Sequence, residues 1–179
     1  MARVSLLEKE QVVPALREVY QRSEERGQQV LNIVKLLANC PQIGPEYLRF
    51  AGAVVRGERV PMKLRELATL RVGSLAGARY EFLHHVPLGL SAGLTRKQID
   101  EIGGWEESSQ FNEQERAVLL YTDRVARDNN VTDEIFAKVR AFLSEHDVVE
   151  LTVVIAYFLM LCRILVALQL ELEPGFSPE

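Results

Sequence analysis

The sequence predicts an all-α protein, and three observations carry that reading. Apolar residues recur at helical spacing from end to end, runs alternating apolar and polar residues are missing, and helix caps punctuate the chain. A single-domain bundle of roughly seven to nine helices follows. Val12 to Tyr20 carries the first pattern, with Pro14 in a first turn, where a missing N–H is tolerated. Residues 28–38, QQVLNIVKLLA, form the second helix, closed by Asn39-Cys40-Pro41. Pro45 opens a third through Phe50 and Val54, and Gly57 marks its end.

Pro61 begins a long helix through Leu64, Leu67, Leu70 and Leu75, loosened at Gly77. The next helix runs to about Ala92-Gly93. Thr95 caps a short one, Arg96 to Ile102, and residues 103–110 form a loop holding Trp105, the only tryptophan. Asn112-Glu113-Gln114-Glu115 resembles a capping box for a helix to Arg127, and Thr132 caps another through Phe142. Asp147 starts the last long helix, which reaches about Leu170. The expected organisation is an N-terminal helical extension over 1–60 packing on a core over 61–172, with a tail at 173–179.

A chain of 179 residues is long enough to bury a substantial core. Its net charge of −4 gives no basic field for nucleic acid, so small molecules and further copies of the chain are the expected partners. Cys40 and Cys162 make no CxxC pair, and no disulfide framework is visible, which favours a reducing cytoplasm. The first residues become charged too early for a signal-peptide core. The apolar run Leu151 to Cys162 is interrupted by Arg163 before the roughly 20 residues a membrane span needs. A buried or oligomer-interface helix is the expectation there.

Chemistry concentrates in RELATLRVGSLAGARYEFLHHVPLGLSAGL, residues 65–94, which holds two of the three histidines. Glu81, His84, His85 and Leu88 share a helical stripe, with Tyr80 one turn before His84. On the preceding helix Glu66 shares a face with Leu70, Gly73 and Gly77, and the two glycines would let a neighbouring helix approach. Glu66 is therefore expected to face Glu81 and His85 across a narrow gap. Carboxylates around an imidazole suit acid–base catalysis. The bland alternative is an i,i+4 pair on a solvated face, worth a few tenths of a kcal/mol. No metal site is expected, because the adjacent His84 and His85 point about 100° apart on a helix. Pro87 should bend the helix just beyond the histidines. Arg163 is either a structural partner of Glu150 or Glu66 or an anion-binding group, and Arg71 reads as a snorkelling or interface arginine.

At these residues the chain resembles the carboxymuconolactone decarboxylase superfamily, which includes the AhpD-like alkylhydroperoxidases. The resemblance is strongest over Pro61 to Ile102 and extends into the C-terminal helices. The redox branch of that family carries Glu, eleven residues, Cys, two residues, Cys, three residues, His. Laid from Glu66, this pattern places the cysteines at Ala78 and Glu81 and the histidine at His85, so both thiols are missing. Thiol-based peroxide reduction is not expected without them.

The resemblance implies instead a cofactor-independent lyase or isomerase acting on a small anionic carbonyl or lactone compound. Glu66, Glu81 and His85 would be catalytic, Tyr80 and His84 would bind a developing oxyanion, and Arg163 would hold a carboxylate. It also implies an oligomer, a trimer or hexamer. Two alternatives stay open: a peroxidase-related protein that has lost its thiols, and a non-catalytic oligomer that binds a small ligand.

Overall fold

A computed structural model describes residues 2–178. Among them are nine α-helices and no strand: α1 (Pro14–Glu25), α2 (Asn32–Leu37), α3 (Ile43–Arg56), α4 (Met62–Ala76), α5 (Arg79–Ser91), α6 (Arg96–Glu101), α7 (Glu113–Asp123), α8 (Asp133–Arg140) and α9 (Glu145–Ala167). Two compact units emerge. One holds the chain up to Arg56 together with Ala167–Ser177, and the other holds Gly57–Val166.

In the first unit, Val12, Leu16, Tyr20, Val30, Val34 and Ala38 form one apolar cluster. The C-terminal stretch belongs here for a polar reason. Glu173 accepts the backbone N–H of Asn32 at 2.6 Å, placing a carboxylate on the N-terminus of α2, while the Asn32 amide donates to the Glu171 carbonyl at 3.0 Å. Proximity in sequence gives no hint of this return.

The second unit is built around α4, where ten consecutive residues from Leu64 to Gly73 are buried. Leu67 and Leu70 join Val86, Ile99, Ile102, Phe111 and Leu119 in its core. The expected cap at Thr95 is present: its hydroxyl accepts from Gln98 N–H and the Gln98 side chain answers on the Thr95 N–H. Asn112 and Glu115 form the same reciprocal box on α7. Beyond Asp123 the helix does not continue as α to Arg127; it loosens into a π-helical turn, Arg124–Asp128, which Asn129 ends in the left-handed region.

The α4–α5 hairpin positions the site, and its two glycines differ in purpose. A Cβ on Gly73 would lie 3.4 Å from the Phe82 backbone, so α5 packs directly against this glycine at the near limit of ordinary contact. Gly77 instead ends α4 at φ 61° with open space around it, a left-handed cap rather than a packing notch. The helix α5 continues through Pro87 to Ser91. The last helix, α9, is long and apolar enough by length and composition to cross a membrane, but half of its apolar window is buried within the protein. Leu151, Val154, Ile155, Phe158 and Cys162 lie on the buried side, while Val149, Val153, Met160 and Val166 are exposed.

Candidate active site

Three charged side chains enter the protein interior on α4, an arrangement that needs partners because an unpaired buried charge is costly. Each finds one on a different helix. Arg65 faces Glu150 of α9, its Nε 3.8 Å from Oε1. Arg71 forms a two-pronged ion pair with Asp123 of α7, Nε to Oδ1 at 2.6 Å and Nη2 to Oδ2 at 2.7 Å. Its remaining nitrogen, Nη1, donates to the carbonyls of Ile102 and Gly103. At 2% exposure Arg71 neither snorkels nor reaches a surface, which corrects the sequence expectation.

Glu66 is the third, and it meets His85. The imidazole Nδ1 lies 2.7 Å from Glu66 Oε2, and Nε2 lies 3.0 Å from Glu81 Oε1. A carboxylate thus engages each ring nitrogen, one from α4 and one from a turn earlier on α5. Glu66 and Glu81 are 6% exposed and His85 7%. The pair Glu81–His85 is therefore not the solvated surface contact that i,i+4 spacing alone allows.

The ring of Phe158 on α9 closes one side, edge-on to the imidazole with centroids 4.9 Å apart. Burial by itself would lower the histidine's pKa. The hydrogen bonds to Glu66 and Glu81 and their negative charges outweigh it and push the value up to about 9. At neutral pH His85 is an imidazolium between two carboxyl groups.

Tyr80 and His84 stack on each other a step round α5, with ring centroids 4.4 Å apart. Tyr80 is buried and His84 partly exposed. Arg163 is placed elsewhere. It is exposed, roughly 140° round α9 from Phe158, and among the described residues it pairs with neither Glu66 nor Glu150. The expected structural pairing is corrected: Arg65 is the arginine that faces Glu150, and the cluster contains no cation besides His85.

Two neighbours escaped sequence reasoning. Phe158 reads as ordinary core in a run of apolar residues, and nothing in its spacing marks it. Cys162 likewise reads as a small buried hydrophobe, yet its thiol feels the charge of Glu81. Burial first and that carboxylate second push its pKa up to about 12. The thiol at the edge of this site is therefore held protonated. Cys40, by contrast, is exposed and lies in the first unit. No group of three or more His, Cys, Asp or Glu side chains among the described residues is arranged to hold a metal ion.

Residues 41–124, which contain the whole Glu66–Glu81–His85 cluster, match the family model of the Carboxymuconolactone decarboxylase family. That match covers just under half of the chain, and the fold as a whole is AhpD-like. Its fold is that of an alkylhydroperoxidase AhpD core protein from Ralstonia eutropha JMP134, an uncharacterized peroxidase-related protein. The TM-score is 0.84 at 15% identity, over 96% of this chain and 92% of that one. A putative antioxidant defence protein AhpD from Agrobacterium tumefaciens aligns with a TM-score of 0.64 at 22% identity, over 98% and 100% of the two chains. The debrominase Bmp8 aligns at 0.74 and 21% identity, over 95% and 91%. A cysteine-to-alanine variant of Bmp8, in complex with 2,3,4-tribromopyrrole, aligns at 0.72 and 20% identity, over 97% and 94%. No curated protein sequence matches the chain.

Proposed function

We propose that this chain is a carboxymuconolactone decarboxylase-like protein and a cofactor-independent acid–base enzyme, a lyase or isomerase acting on a small carbonyl or lactone compound. The observation that carries this reading is the buried imidazolium engaged by a carboxylate at each nitrogen. Glu66 holds Nδ1 and keeps the ring oriented. The proton on Nε2 passes to Oε1 of Glu81, 3.0 Å away, and the carboxylic acid so formed delivers that proton to substrate carbon and returns to carboxylate. Loss of CO₂ from a γ-carboxy unsaturated lactone leaves an extended enolate, which this proton would quench, with Tyr80 and His84 beside the developing oxyanion.

The cluster itself, two carboxylates and one imidazolium, repels a substrate carboxylate. The anionic end of such a substrate is therefore held away from Glu66 and Glu81. A small ring compound bound to the debrominase of the same fold supports a substrate of that size.

The test is turnover of γ-carboxymuconolactone, followed by loss of its ultraviolet absorbance. Glu81→Gln and His85→Ala should each reduce the rate about a hundredfold or more while circular dichroism stays unchanged. Undiminished turnover in both variants would remove the assignment.

A further inference from the structure

Away from the catalytic cluster, α7 and α8 enclose a groove of about 690 Å³, a size suited to a small organic ligand. Its apolar lining comes from Ala117 and Leu120 of α7 and from Ala141 and Phe142 just after α8, with Trp105, 5% exposed, contributing little surface. Two cations line it as well. The half-buried guanidinium of Arg116 lies 5.2 Å from the Trp105 ring centroid and donates to the carbonyls of Trp105, Glu106 and Ser108. Those carbonyls take three of its five N–H groups without neutralising its charge, and among the described residues no carboxylate pairs with it. From α8 comes Lys138, half-exposed, whose contact with Glu134 at 3.3 Å is a surface pair of little strength. Against these stands one lining acid, Glu113, at the start of α7.

We propose that this groove binds a small amphipathic carboxylate, its apolar body against Leu120 and Phe142 and its charge toward Arg116 and Lys138. The apolar walls alone would accept a neutral compound equally well. The uncompensated Arg116 charge, held over the buried Trp105 indole, is what selects an anion. The site is separate from the Glu66–His85–Glu81 cluster, so it stands or falls independently of the proposed reaction.

Because Trp105 is the only tryptophan, its indole N–H gives a single cross-peak in a ¹H–¹⁵N spectrum of the full chain. Titration with 4-phenylbutyrate should move that peak saturably, and uncharged 4-phenylbutanamide should bind several-fold more weakly. The exposed substitutions Lys138→Glu and Glu113→Gln test the charge without disturbing the Arg116 turn. The first should weaken 4-phenylbutyrate roughly two- to fivefold, and the second should tighten it by a similar factor. Equal affinity for acid and amide, or no saturable shift, overturns the proposal. So does a Trp105 peak that moves with protein concentration instead, since a second copy of the chain would then occupy the groove.

Discussion

Asp123 holds two partners with one carboxylate: Arg71 of α4 grips both oxygens, and the indole Nε1 of Trp105 donates to Oδ2 at 3.3 Å. One acid thereby ties α4, α7 and the loop after α6 into a single buried knot. Removing only Asp123 strands a guanidinium that is 2% exposed. Asp123→Ala should cost about 3–5 kcal/mol and lower the melting temperature by roughly 10 °C. Replacing both partners, Arg71→Met with Asp123→Leu, should recover much of that loss. Thermal melts of the three variants check this.

The pH dependence of stability should carry the signature of His85. Its pKa rises on folding, from an ordinary 6.5 to about 9, so folding favours the protonated form. The stabilisation is complete below pH 6.5, declines as pH rises through 9, and is gone above that. Its size is on the order of 3 kcal/mol. Urea unfolding at pH 6, 8 and 10 should show the decline in the wild type, and His85→Gln should flatten that part of the profile. An unchanged slope in the variant would assign the effect to other groups.

Glu150 is expected to matter more than a partly exposed surface acid. Its carboxylate accepts the backbone N–H groups of Glu58 and Arg59 at 2.8 Å and of Val60 at 3.0 Å. Burial opposes its ionisation, but those three bonds and the nearby Arg65 charge outweigh it and hold the carboxyl below its ordinary range. Glu150→Ala leaves the three amides without their acceptor and removes the charge facing Arg65, at about 2–4 kcal/mol. Hydrogen exchange at residues 58–60 should accelerate in that variant before global unfolding does.

Thiol chemistry should be confined to the surface. Native protein should react with Ellman's reagent at Cys40 alone, and Cys162 should become reactive only on denaturation, because it is fully buried with its pKa near 12. Hydroperoxide consumption with dithiothreitol should stay at the level of the reagent alone. Robust turnover that survives Cys40→Ser and Cys162→Ser would mean that a different group reduces the peroxide.

The placement of the site shows how far local pattern reaches. Glu81 and His85 four residues apart, and a glycine on α4 where Phe82 packs, are legible because helical geometry alone sets which residues share a face. The same logic locates the caps at Thr95 and Asn112. It stops at Gly77, where a positive φ and a small side chain look alike in sequence, and at the π-helical turn after Asp123, which keeps a helical pattern while changing its pitch.

Residue order by itself determined the all-α class, most helix starts, the stripe carrying Glu81 and His85, and the absence of cysteine from that stretch. Periodicity and capping are short-range effects, written within a few turns of chain. Only the tertiary structure decided which charge answers which. Asp123 rather than solvent takes Arg71, Arg65 rather than Arg163 faces Glu150, and Phe158 packs on His85 from a helix some seventy residues away in the numbering. The physical reason is that a buried charge is stabilised by whichever opposite charge the packing brings within a few ångströms, and packing distance is unrelated to distance along the chain.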